Sequence, residues 1–67
     1  MSVARVTEII AESPNSFDEA VKNGVDRACA TLKNVKTAWV QNQTVTVVND
    51  EITEYRVNLK VTFILEG

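Results

Sequence analysis

Two spacings of apolar residues alternate along the 67-residue chain. Residues 3–11 are dense in β-branched side chains (Val3, Val6, Thr7, Ile9, Ile10) and run into Ser13-Pro14-Asn15-Ser16, a cluster of turn formers, which predicts a first strand. Ser16-Phe17-Asp18-Glu19 then has the form of a capping box. The serine oxygen can accept from the amide three residues on, Glu19 can reach back, and both acids suit the positive end of a helix dipole. From there Phe17, Ala20, Val21, Gly24, Val25, Ala28 and Leu32 fall three and four residues apart, the single stripe of an amphipathic helix that ends near Lys33-Asn34. Small residues at Ala20, Gly24 and Ala28 predict a backbone pressed close to a sheet. Gly24 costs about 1 kcal/mol of helix propensity relative to alanine, so close approach must repay it.

Residues 35–48 return to strand character. Ala38 and Val40 point one way and Thr37, Trp39, Gln41 and Gln43 the other, while Val45 and Val47 have the opposite parity to Val40, which predicts a bulge near residues 42–44. Asn49-Asp50-Glu51 is a turn. In the last segment Tyr55, Val57, Leu59, Val61, Phe63 and Leu65 alternate with Glu54, Arg56, Asn58, Lys60, Thr62 and Ile64, a strand with one buried and one largely polar face. The order is β-α-β-β. A right-handed crossover makes the first two strands parallel, and the third lies between them, antiparallel to both. The fold class is therefore α+β, a three-stranded sheet with an antiparallel centre curled around one helix, as a single domain over residues 1–67.

Composition changes this picture in one respect: so short a chain is hard to stabilise alone. A domain of about 60 residues buries only about 60% of its unfolded surface. With one cysteine and no histidine the chain can make neither an internal disulfide nor a Cys/His zinc site, which leaves self-association. The absence of histidine also removes the usual acid–base and nucleophile-activating machinery, so an enzyme is not expected. Two glycines cannot build a phosphate-binding loop. A net charge of −2 with scattered basic residues argues against nucleic acid, and no stretch approaches the about 20 apolar residues of a membrane span. A cytoplasmic location is expected. Cys29, near the apolar stripe with nothing to activate it, reads as a buried structural thiol, and Tyr55 and Phe63 read as core.

The β-α-β-β order at this length, Ser-Pro-Asn-Ser-Phe after the first strand, Val25-Asp26-Arg27-Ala28, Asn34-Val35 and the closing Tyr55-Arg56-Val57-Asn58-Leu59-Lys60-Val61-Thr62-Phe63 together resemble the dodecins over nearly the whole chain. That resemblance implies a hollow assembly of twelve identical subunits that holds a small ligand. In flavin-binding dodecins a tryptophan just after the helix stacks on the isoalloxazine ring, and a glutamine after the tyrosine of the last strand hydrogen-bonds its polar edge. Thr37 and Arg56 stand at those two positions. Threonine has no π-face, and arginine donates without accepting, so ordinary flavin binding is expected to be lost or altered. Trp39, two residues beyond Thr37 and about 7 Å along the strand, is either a shifted stacking residue or an anchor buried between subunits. Arg56 is read as an ion-pair partner for Glu54 or Glu12 of a neighbour. Some family members are associated with calcium, for which Asp50, Glu51 and Glu54 form the densest acidic group. Calcium takes six to eight oxygens, so copies would have to share such a site. The resemblance thus implies a non-catalytic homododecameric shell for a small ligand or ion, with calcium and flavin the candidate cofactors and no nucleic-acid or membrane partner.

Overall fold

The computed structural model describes residues 2–65, so the outermost residues of the expected 1–67 domain lie outside the described part. The elements are β1 (Val3–Ser13), α1 (Phe17–Thr31), β2 (Val35–Val48) and β3 (Glu51–Leu65). The sheet order is β1-β3-β2, with β3 antiparallel to both neighbours. Placing the most regularly alternating strand in the centre buries its apolar face most completely. Val57, Leu59 and Val61 have no exposed surface, and they pack against Ala20 and Ala28 of the helix.

The turn into α1 is held by short side chains. Ser13 is fully buried, and its Oγ accepts the backbone N–H groups of Asn15 (3.0 Å) and Ser16 (3.4 Å). Ser16 then caps the helix by accepting from the Glu19 N–H at 3.0 Å. Only half of the expected box forms, because the Glu19 carboxylate accepts from Asn15 Nδ2 at 2.8 Å. Ser13 already serves the amide that Glu19 would have taken. At Gly24 a Cβ would sit 2.6 Å from Leu59 Cδ1 and 3.1 Å from Ala11 Cβ, so the small stripe does seat the helix against the sheet. The helix is covered on one side only. Cys29 falls on its open side and is exposed, which corrects the expectation of a buried thiol.

Three bulges set the facing of the strands. Lys36 and Gln41 are extra residues on β2, and Thr53 is the extra residue on β3. The parity change on β2, expected at residues 42–44, falls one residue earlier. Gln43 consequently pairs with Val57 on the helix side, opposite to Trp39, and not on the same face as expected. The β2–β3 hairpin closes through Asn49 (φ 51°) and Asp50 (φ 66°), the two left-handed residues of a type I′ turn.

The chain spans 51 × 19 × 13 Å and has a radius of gyration of 13.8 Å. A compact domain of this length would measure about 11 Å. Its accessible surface of 4904 Å² likewise exceeds the about 4,200 Å² expected for its mass. The excess lies where the hairpin runs beyond the helix and along the uncovered sheet face. Val45, Val47, Val48 and Ile52 are exposed in the first region, and Val6, Ile10 and Trp39 in the second.

Candidate ligand-binding face

The antiparallel registers place polar and apolar groups in ordered rows across the sheet face that turns away from the helix. Reading from β1 through β3 to β2, these rows are Val6–Thr62–Thr37, Glu8–Lys60–Trp39, Ile10–Asn58–Asn42 and Glu12–Arg56–Thr44. Thr37 and Trp39 share this face because the Lys36 bulge precedes both and the Gln41 bulge follows them. Trp39 is 61% exposed, and Lys60 Nζ lies 5.8 Å from its ring centroid. A cation–π contact at such an exposed site is worth about 0.5–1 kcal/mol and fixes one side of the ring.

Arg56 does form an ion pair, but within its own chain. Its Nε donates to Glu12 Oε1 at 2.6 Å, and Nη2 meets the same oxygen. The register explains this, since Glu12 stands directly opposite Arg56 on the adjacent strand. The expected pairing with a neighbour's Glu12 or with Glu54 is corrected accordingly. Six residues of β3 separate the Thr62 row, which holds Thr37, from Arg56, or about 20 Å at strand spacing. Trp39 is about 13 Å from Arg56 on the same measure. One chain therefore does not bring Thr37, Trp39 and Arg56 onto one small ligand, and only different copies could do so.

The acidic candidates are also spread out. Asp50 lies in the turn, Glu51 opens β3 opposite Val48, and Glu54 stands opposite Thr46. Among the described residues no group of three or more Asp, Glu, Cys or His side chains is placed to hold a metal ion. A calcium site built from Asp50, Glu51 and Glu54 would need carboxylates from more than one copy. An open recess of about 200 Å³ lined by Lys33, Asn34, Phe63, Ile64 and Leu65 contains none of these residues. Sequence reasoning missed Lys60 and Asn58 as candidates. Both are polar positions on the central strand, and only the strand register shows that one lies on Trp39 and the other at the middle of the face.

A single helix held in the curl of a β1-β3-β2 sheet, with the far sheet face left uncovered, defines a class of small subunits. Comparison with known proteins places the chain within it. The dodecin family model matches residues 3–66. The calcium dodecin of Mycobacterium tuberculosis is 35% identical over 63 residues, covering 94% of this chain and 89% of that protein. Among solved structures, the dodecin of Streptomyces davaonensis superposes with a TM-score of 0.92 at 33% identity, over 98% of this chain and 97% of that one. The crystal structure of the M. tuberculosis calcium dodecin, described as having a novel calcium-binding site, matches with a TM-score of 0.85 at 32% identity over 98% and 94% of the two chains. The chain belongs to the dodecin family. Among the described residues no helix is long and apolar enough to cross a membrane.

Proposed function

We propose that this chain is the non-catalytic subunit of a closed cytoplasmic homododecamer that binds or stores a small ligand or ion, calcium first among them, and that it does not bind flavin in the ordinary way. The observation that carries the reading is the uncovered sheet face, whose Val6, Ile10 and Trp39 are exposed in the single chain. Burying them between copies removes apolar surface at about 25 cal/mol per Å² and shields any ligand held there. The relative named calcium dodecin supports the choice of ion, and Asp50, Glu51 and Glu54 are the carboxylates that neighbouring copies would contribute. Thr37 in place of an aromatic and Arg56 engaged with Glu12 both argue against ordinary flavin binding.

A second reading is favoured by one specific feature. Trp39 is exposed on the same face as Thr37, with one side of its ring fixed by Lys60 and the other open, so it can stack a planar ligand such as a flavin. One experiment separates the two. The assembled protein is melted with calcium from micromolar to millimolar, then with chelator, and titrated in parallel with riboflavin while its fluorescence is followed. Under the calcium reading the melting temperature rises with calcium and falls with chelator, by linkage to the folded state. Quenching of riboflavin that disappears in Trp39→Ala transfers the assignment to Trp39. The absence of both responses would sink both readings.

A further inference from the structure

The glycine that seats the helix is preceded by the most labile kind of asparagine. A side-chain amide is a weak point of a peptide chain because the backbone nitrogen of the next residue can attack its carbonyl carbon and close a five-membered ring. A side chain on that next residue obstructs the approach, and glycine has none. Asn15, Asn34, Asn42, Asn49 and Asn58 precede Ser16, Val35, Gln43, Asp50 and Leu59, and only Asn23 precedes a glycine. Asn23 is exposed to water, whereas Gly24 is buried. Both lie inside α1, where the helical ladder commits the Gly24 N–H to the carbonyl four residues back. Ring closure needs the Asn23 ψ to rotate well away from its helical value of about −42°. That rotation would carry Gly24 off a seat where even a Cβ would stand 2.6 Å from Leu59 Cδ1 and 3.1 Å from Ala11 Cβ.

We propose that Asn23 is a modification site that the seated helix keeps closed, and that conversion there withdraws any subunit whose helix has opened. In the opened chain the Gly24 nitrogen gives up its proton and bonds to Asn23 Cγ, the Cγ–Nδ2 bond breaks, and ammonia leaves with the proton. Water then opens the cyclic imide. Hydrolysis at Cγ yields aspartate, and hydrolysis at the backbone carbonyl yields isoaspartate, in which the main chain runs through Cβ and Cγ. Isoaspartate lengthens the backbone by one methylene directly before Gly24. The regular spacing that places Ala20, Gly24 and Ala28 against the sheet is then lost. Leu59, fully buried, has no room to accommodate a displaced turn. The device is one-way: a folded chain stays an amide, and a chain that has carried isoaspartate cannot reseat its helix.

The test holds one sample of the full chain unfolded in guanidinium at mildly alkaline pH and a second native in the same buffer without denaturant. Residue 23 is followed by peptide mapping with electron-transfer mass spectrometry, which tells isoaspartate from aspartate. Loss of the Asn23 amide is expected to be at least about a hundredfold faster in the unfolded chain, because native helices expose their backbone only through rare openings. Ser16→Ala, which weakens the cap of the same helix, is expected to raise the native rate several-fold. The aged unfolded chain is then returned to native buffer and separated into refolded and rejected fractions, with isoaspartate expected almost wholly in the rejected one. Asn23→Gln, whose six-membered ring closes far more slowly, and Asn23→Ala, which has no amide, are each expected to refold after the same ageing as completely as when fresh. Equal rates in the native and unfolded chains, or a native rate that Ser16→Ala leaves unchanged, would overturn the protection by the helix. Isoaspartate as abundant in the refolded as in the rejected fraction would overturn the withdrawal.

Discussion

Gly24→Ala tests whether the helix seat governs stability. Alanine should strengthen an isolated helix by about 1 kcal/mol. Here its Cβ would stand 2.6 Å from Leu59 Cδ1 and 3.1 Å from Ala11 Cβ, and the first is closer than such atoms approach. The end of a leucine side chain can move in principle, but Leu59 is fully buried between Val57 and Val61, themselves fully buried, so its displacement passes into the sheet. Overpacking of this kind costs about 1–3 kcal/mol, and so severe an approach belongs at the upper end. Subtracting the propensity gain leaves a net loss of about 1–2 kcal/mol. For a domain of this size each kcal/mol moves the melting temperature by about 4–8 °C, which gives a fall of roughly 5–15 °C. The assay is thermal and guanidinium unfolding at one fixed protein concentration, because an assembling protein melts in a concentration-dependent way. Asn23→Ala, one residue away on the exposed side, is the control and should gain several tenths of a kcal/mol from propensity alone. A Gly24→Ala protein as stable as the wild type would refute the close seat.

Other expectations follow from the same packing and hydrogen bonds. Ser16→Ala removes the acceptor for the Glu19 N–H and should cost about 1 kcal/mol, read as a shift in denaturation midpoint without a change in slope. Arg56→Ala breaks the pair with Glu12, but both side chains are about half exposed, so the destabilisation should stay below about 1 kcal/mol and shrink further in high salt. Lys22 donates to Asp26 at 2.9 Å, and that hydrogen bond holds its ammonium above the ordinary 10.5. Whatever this exposed pair contributes is present below the ordinary lysine range and lost as pH rises through the raised value. Asp26→Asn should abolish the upward shift in a titration followed by NMR.

Much of this architecture can be read from residue order because the signals are local. The stripe Ala20-Gly24-Ala28, the Ser16 cap and the alternation from Tyr55 to Phe63 each describe one element, and each is found in place. Even the edge-on contact of Phe17 with Tyr55, at 5.1 Å between centroids, follows from two residues on the core side. What cannot be read depends on how separate strands register. Glu12 and Arg56 are far apart in sequence, and only the β1–β3 pairing sets them opposite. The bulge at Gln41 moves Gln43 to the helix side, and a polar run such as Gln41-Asn42-Gln43-Thr44 carries no apolar alternation to reveal it. Cys29 borders the stripe by sequence, but a three-stranded sheet leaves that flank of the helix open. The candidate site is the least legible part, since Thr37 and Arg56 are about 20 Å apart in one chain and meet only if copies come together.

Assembly is therefore the claim on which the functional account depends, and native mass spectrometry of the purified protein tests it most directly. Subunit number and retained ligands appear in the same spectrum. The account predicts a mass of twelve chains of 7.4 kDa, carrying calcium-sized increments that chelator removes. A monomer at micromolar concentration would contradict it, and twelve chains with flavin-sized increments would keep the shell but move the ligand site to Trp39.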